Sequence, residues 1–148
     1  MKYLLDTNIV LRFSNPSDNQ HVMAVNAVSY LLSQAHECFL APQVLIEFWV
    51  VDTRPVDVNG LGWSTEKTRK IIDQFIDRFP LVDESYDIFP HWLELVTTYK
   101  IKGKHTHDAR IGAVMLSYGI THLLTFNPSD FEKISGITTV IPHELVTE

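Results

Sequence analysis

The chain has a single cysteine, no excess of basic residues and no long apolar run, and each shortage excludes something. Cys38 has no second thiol to pair with, so no disulfide can form within the chain and a hydrophobic core must hold the fold. No apolar stretch approaches the roughly 20 residues of a membrane-spanning helix. Near the N-terminus, Lys2 and the short apolar stretch after it run into Asp6, which is not the pattern of a secretory signal peptide. A cytoplasmic protein without membrane contact is expected. With 18 acidic residues against 12 basic ones, the net charge of −6 argues against a simple nucleic-acid-binding module, which normally presents a basic face. The polar bias of a disordered chain is missing too, since 45% of residues are hydrophobic and 20% charged. A chain of 148 residues fits one domain that buries about two-thirds of its unfolded surface.

What is present is an alternation of short apolar runs and helical patterns. KYLL reads as a strand and NIVLRF as a short helix after it. In HVMAVNAVSYLLSQAH, Val22, Val25, Val28, Leu31 and Leu32 recur with a helical period. CFLA is a second strand, and Pro42 suits the first turn of the helix that follows it. That helix, QVLIEFWVVD, is apolar almost all round. TRPVDVNGLG is a loop rich in turn residues. STEKTRKIIDQFIDRF is an amphipathic helix that Ser64 can cap. LVDES is expected to hold a third strand, and YDIFPHWLELVTTYK a helix with Pro90 near its start. HDARIGAVMLSYG is a helix closing at Gly119, HLLTF a strand and TTVIP a last short one. Helices between short apolar strands predict a parallel sheet of four or five strands covered on both faces. No internal repeat and no linker divides residues 1–148, so a single domain is expected.

In an open parallel sheet, sites lie beyond the carboxyl ends of the strands. Asp6 follows the first strand at such an end, although taken alone Asp6 or Thr7 reads first as a cap of the next helix. Glu47 is the lone charge between Val44 and Val51 in a helix read as core. Burying an isolated carboxylate costs several kcal/mol, so it must be paired, protonated or near a cation. Arg12 is a candidate partner. A helix that follows a strand starts at the carboxyl edge of the sheet, and Glu47 is one turn in. Asp108 opens an apolar helix, where the helix dipole alone favours an acid by about 0.3–1 kcal/mol. Asp130 and Asn127 lie just beyond the strand in HLLTF, where turn roles are common. As a set these acids can collect at one sheet edge. Clustered carboxylates repel and cannot all ionise cheaply without a cation. Oxygen-only donors suit Mg²⁺ or Mn²⁺, whereas His105 and His107 do not form a zinc ligand pattern. A carboxylate-held divalent ion that activates water is the machinery of phosphodiester hydrolysis.

LLDTN with Asp6 and Asn8, the mid-helix acid in QVLIEFW, HDARIGAVMLSYG with Asp108, and LLTFNPSDF occur in this order across almost the whole chain. In these motifs the chain resembles the PIN-domain ribonucleases, and most of all the VapC toxins of bacterial type II toxin–antitoxin pairs. The resemblance implies a PIN-like three-layer α/β/α sandwich and a Mg²⁺- or Mn²⁺-dependent endoribonuclease. It also implies a homodimer with a cognate antitoxin partner and an RNA substrate. Carried over by position, Asp6 and Asp108 are metal ligands, directly or through water, and Asn8 supports them. Glu47 holds a metal-bound water or acts as general base. The usual last acid falls where this chain has Asn127. Some relatives place it three positions later, so Asp130 is the expected fourth acid and Asn127 its orienting neighbour.

The RNA backbone is then expected to follow the basic stretch YKIKGKHTHDAR, with Lys102, Lys104 and Arg110 as contacts. Trp63 could stack a base, or act as a hydrophobic staple before the helix capped by Ser64. Two other classes remain open. One is a strand-end phosphotransferase with Asp6 as nucleophile, as in haloacid-dehalogenase-like phosphatases, which look for a second Asp where this chain has Asn8. The other is a PIN fold that binds RNA or protein without catalysis.

Overall fold

In the computed structural model, which describes residues 1–146, four short strands form one parallel sheet. β1 (Lys2–Leu5) is central, with β2 (Glu37–Phe39) on one side and β3 (His122–Leu124) on the other. β4 (Thr138–Val140) pairs with β3, giving the order β2-β1-β3-β4. Tyr3, Leu4 and Leu5 are all buried, which is the unbroken apolar run that a doubly covered parallel strand requires. The helices are α1 (Thr7–Phe13), α2 (His21–Ser33), α3 (Pro42–Thr53), α4 (Thr65–Arg78), α5 (Ile88–Thr98), α6 (His105–Tyr118) and α7 (Pro142–Leu145). This is the PIN-like α/β/α layering expected from the alternation of elements. No helix among the described residues is long and apolar enough to cross a membrane.

Local chemistry explains most boundaries. Pro42 opens α3, where its missing N–H would have been unpaired anyway. The Ser64 hydroxyl accepts from the Lys67 amide at 3.1 Å and starts α4. Gly119, at φ 65°, closes α6 in the left-handed region. Gly112 lets α6 lie close to the segment before β4, because a Cβ there would come within 3.0 Å of the Ile137 side chain.

Two expectations need correction, in LVDES and in α3. The strand expected in LVDES shrinks to one bridge between Leu40 and Leu81, because only Val82 turns into the core and Asp83 and Glu84 leave for solvent. The buried face of α2 is Met23, Ala24, Ala27, Val28 and Leu31, while Val22 and Leu32 are exposed. Ala24 and Ala27 leave room for close helix packing beside the larger Met23, Val28 and Leu31. α3 is not buried all round either: Val44, Leu45 and Phe48 face the core, but Ile46 and Val50 are exposed. Cys38 is buried and its thiol is pushed up to about 11 by desolvation, so it is inert at neutral pH.

Candidate active site

The register of β1 against β3 builds the floor of the site. Leu5 lies opposite Leu124, so the next residues, Asp6 and Thr125, emerge side by side at the carboxyl edge of the sheet. The Asp6 amide donates to the Leu124 carbonyl at 3.0 Å and extends the ladder to this point. One carboxylate oxygen of Asp6, Oδ1, accepts from the Thr7 amide at 2.8 Å. The other, Oδ2, accepts from the Thr125 hydroxyl at 2.7 Å and from the Asn8 amide nitrogen at 3.3 Å. Asp6 is therefore the cap of α1, as the simpler reading had it, and also a nearly buried acid in a polar network.

Asn8 ties the two strand ends together. Its side-chain nitrogen also donates to Thr125 Oγ1 at 3.2 Å, and its Oδ1 accepts from the Phe126 amide at 3.0 Å. Thr125 Oγ1 in turn accepts from the Asn127 amide at 3.0 Å.

Glu47 comes to this edge from α3. Its Oε2 accepts from the Thr7 hydroxyl at 2.6 Å, and its Oε1 from Gln43 Nε2 at 3.1 Å. Arg12 is not its partner: that guanidinium reaches Asp18 and the Asn8 carbonyl and lies over the Phe126 ring. Gln43 also donates to the His107 carbonyl at 2.9 Å, which fastens α3 to the first turn of α6.

Asp108 sits in that turn, half-buried, with His105 Nδ1 at 3.3 Å from its Oδ2. Asp130 arrives from the short 3₁₀ turn Pro128–Phe131 that follows β3. His105, Asp108 and Asp130 each bring one donor atom into a group whose members lie within 4.8 Å of one another. Asn127 is exposed at the start of the 3₁₀ turn, and its contact with the network is through its backbone amide.

The charges sense one another. Burial raises the Asp6 carboxyl to about 6, against the pull of the Thr125 and Thr7 hydrogen bonds, and Glu47 and Asp108 push it the same way. Asp108 is also raised, first by burial and then by Asp130 and Glu47, while His105 opposes the shift. A buried acid facing like charges is what a cation would relieve, and hard carboxylate oxygens suit Mg²⁺ or Mn²⁺. The residues present thus fit a divalent ion.

A cleft of about 380 Å³ adjoins the site, lined by Lys100, Lys102 and Lys133 with His105 and Asp130 on its wall. Lys104 precedes α6 as its cap residue. Arg110 is engaged elsewhere: its Nη2 lies 2.6 Å from Glu84 Oε2, and its Nη1 donates to Gln43 Oε1 at 3.2 Å. Trp63 carries the Lys67 ammonium 3.9 Å above its ring centroid, so a cation already occupies one aromatic face.

Reading the sequence missed Thr7, Gln43, Thr125 and His105 as members of this network. Thr125 had a usable signal, because LLD and LLT end two strands that a parallel sheet can align. Gln43 had none, since its value lies in spanning α3 and α6.

No curated protein sequence gives a significant match. Among solved structures, the chain is similar to VapBC2 from Rickettsia felis bound to a DNA fragment from their promoter. That match has a TM-score of 0.73 at 21% identity, covering 95% of this chain and 98% of the other. A toxin–antitoxin complex from Klebsiella pneumoniae matches with a TM-score of 0.61 at 25% identity, covering 95% and 97%. The Mycobacterium tuberculosis sarcin–ricin loop cleaving toxin VapC20 matches with a TM-score of 0.59 at 17% identity, covering 82% and 86%. The profile of the PIN domain family matches residues 3–137. With that match over most of its length, the chain belongs to the PIN domain family.

Proposed function

We propose that the chain, acting as a single PIN domain, is a divalent-metal-dependent endoribonuclease and the toxin of a toxin–antitoxin pair. The observation that supports this reading is the pairing of two sets of acids, Asp6 and Glu47 joined through Thr7 and Asp108 grouped with Asp130, with burial and like charges raising Asp6 and Asp108. Asp6 and Asp108 would hold Mg²⁺ or Mn²⁺, with Asp130 as the fourth acid. Such an ion supplies Lewis-acid stabilisation of the charge that develops on phosphoryl oxygens.

The remaining chemistry belongs to the chain's own groups. Thr125 and Asn8 hold the Asp6 carboxylate in one orientation, so it need not reorganise when substrate arrives. Glu47 is fixed by Thr7 and Gln43, and each of its oxygens keeps a free lone pair. It is therefore placed to accept a proton from an attacking water. Asn127 orients the turn that carries Asp130. Lys100, Lys102 and Lys133 offer a path for the RNA backbone, with Lys104 before α6 and Arg110 within it as further contacts.

RNA as the substrate class follows the Mycobacterium tuberculosis toxin of the same fold, and an antitoxin partner follows the toxin–antitoxin complexes. Two exposed apolar faces supply the surface that a homodimer and an antitoxin need. One is Ile46 and Val50 on α3, flanked by the half-buried Trp49 and by Ile72 of α4. The other is Phe89, Leu93 and Leu116 on α5 and α6. A strand-end phosphotransferase is disfavoured because Asn8 stands where the second acid would be, and its amide is fully engaged.

The test is cleavage of single-stranded RNA by the purified protein with Mg²⁺ or Mn²⁺ and its arrest by EDTA. Asp6→Asn and Asp108→Asn should each lower the rate by more than about 100-fold while the fold persists. A rate unchanged by either substitution refutes that residue's role. An intact protein that binds RNA without cutting it would favour the non-catalytic module.

A further inference from the structure

We propose that His105 is itself a metal ligand. With Asp108 and Asp130 it forms a mixed nitrogen–oxygen position that prefers Mn²⁺ to Mg²⁺. The inference rests on the metal-dependent reading of the same site and adds to it a residue and an ion preference.

Three observations converge. First, His105 and Asp108 lie one turn apart on the same face of α6, with Nδ1 and Oδ2 at 3.3 Å. Donors on adjacent positions of an octahedral ion, at about 2.1 Å each, are about 3 Å apart, and opposite donors about 4.2 Å. A separation of 3.3 Å and a group span within 4.8 Å therefore need only small side-chain rotations to enclose one ion.

Second, the third donor comes from a different element. Asp130 is carried by the 3₁₀ turn after β3, and among the described residues its carboxylate has no hydrogen-bond or ion-pair partner. A surface pair of His and Asp on one helix accounts for two members of the group but not for this one. The contrast with the other end of the site is plain. There, both oxygens of Asp6 and both oxygens of Glu47 already accept from protein donors.

Third, His105 and Asp130 line the cleft that also holds Lys100, Lys102 and Lys133. An ion here would sit beside a basic surface that can take a phosphate, which is where a nuclease uses one.

The ion preference follows from donor chemistry. Mg²⁺ takes oxygen donors and keeps its waters, whereas imidazole suits later transition ions, and Mn²⁺ accepts both donor types. An Asp-Asp-His set should therefore discriminate against Mg²⁺ more than an all-carboxylate set does.

The experiment uses Mn²⁺ itself as the probe, with the full chain freed of metal and no substrate. Pulsed electron paramagnetic resonance of bound Mn²⁺ should show ¹⁴N coupling in the parent and in His107→Gln, and none in His105→Gln. In competition titrations, His105→Gln should weaken Mn²⁺ binding at least about tenfold and leave Mg²⁺ binding nearly unchanged. Mn²⁺ that binds without ¹⁴N coupling, or with coupling that survives His105→Gln, overturns the role of His105 while the nuclease reading stands. A parent that binds no Mn²⁺ at millimolar concentration overturns both.

Discussion

Asp52 offers a test of the physical reasoning that needs neither substrate nor metal. It lies near the end of α3 at 0% exposure, and neither carboxylate oxygen has a hydrogen-bond partner among the described residues. Burial pushes its carboxyl up from 3.8 to about 7, and the Lys67 ammonium only partly opposes this. Because the folded pKa lies above the unfolded one, the folded state binds the proton more tightly. The ionisation penalty is thus absent below about pH 3.8, grows as pH rises through the window up to about 7, and is full above it.

At about 1.4 kcal/mol per pH unit, the full penalty is about 4 kcal/mol, of which about 2–3 kcal/mol appears between pH 5 and 8. Asp52→Asn imitates the protonated acid, so it should be more stable than the parent at pH 8, and that advantage should shrink by about 2–3 kcal/mol on going to pH 5. The assay is urea unfolding of both proteins in EDTA across this range. Only the difference between the two curves is read, because Asp6 and Asp108 are raised as well and are common to both. Removing the opposing charge by Lys67→Met should steepen the parent's pH dependence and leave that of Asp52→Asn unaltered. Parallel pH curves for parent and Asp52→Asn, or a variant less stable at pH 8, would refute the claim that this carboxylate is buried without a partner.

The remaining predictions concern the site. Thr125→Val keeps the shape but deletes a donor to Asp6 and an acceptor for the Asn8 and Asn127 nitrogens. It should cost about 1–3 kcal/mol in urea unfolding, and an unchanged midpoint would mean the network does not hold the strand ends. Asp130→Asn should lower RNA cleavage more than Asn127→Ala does and raise the Mn²⁺ needed for half activity; a larger effect at Asn127 would reverse that assignment. Asp108→Asn relieves repulsion, so its Tm in EDTA should exceed the parent's, and the extra stabilisation that Mn²⁺ gives should shrink. A lower Tm in EDTA together with an undiminished Mn²⁺ effect would make Asp108 an ordinary helix-end acid.

The sequence alone determined the parts of this protein that depend on local chemistry. KYLL and HLLTF are short and apolar because both faces of a parallel strand are covered, and LLD puts a carboxylate where the first strand must end. Ser64 and Pro42 mark helix starts by hydrogen bonds and missing hydrogen bonds that need no distant partner. Glu47 stands out in its own helix because an isolated charge among apolar residues demands an explanation.

Tertiary structure decided the rest. Which side of α2 faces the core depends on how closely its alanines let it approach, and that is a property of the neighbouring elements. LVDES has strand-forming residues, yet the packing around Leu40 leaves it a single bridge. Nothing in its own helix sets Asp52 apart, and only the fold leaves its buried carboxylate without a partner. Thr125 meets Asp6 across 119 positions of sequence, and Gln43 reaches His107 across 64. His105, Asp108 and Asp130 share one space because a helix start and a turn after a strand end at the same edge. Residue types declare which groups can bind a cation or accept a proton; only the parallel register and the helix packing decide which of them meet.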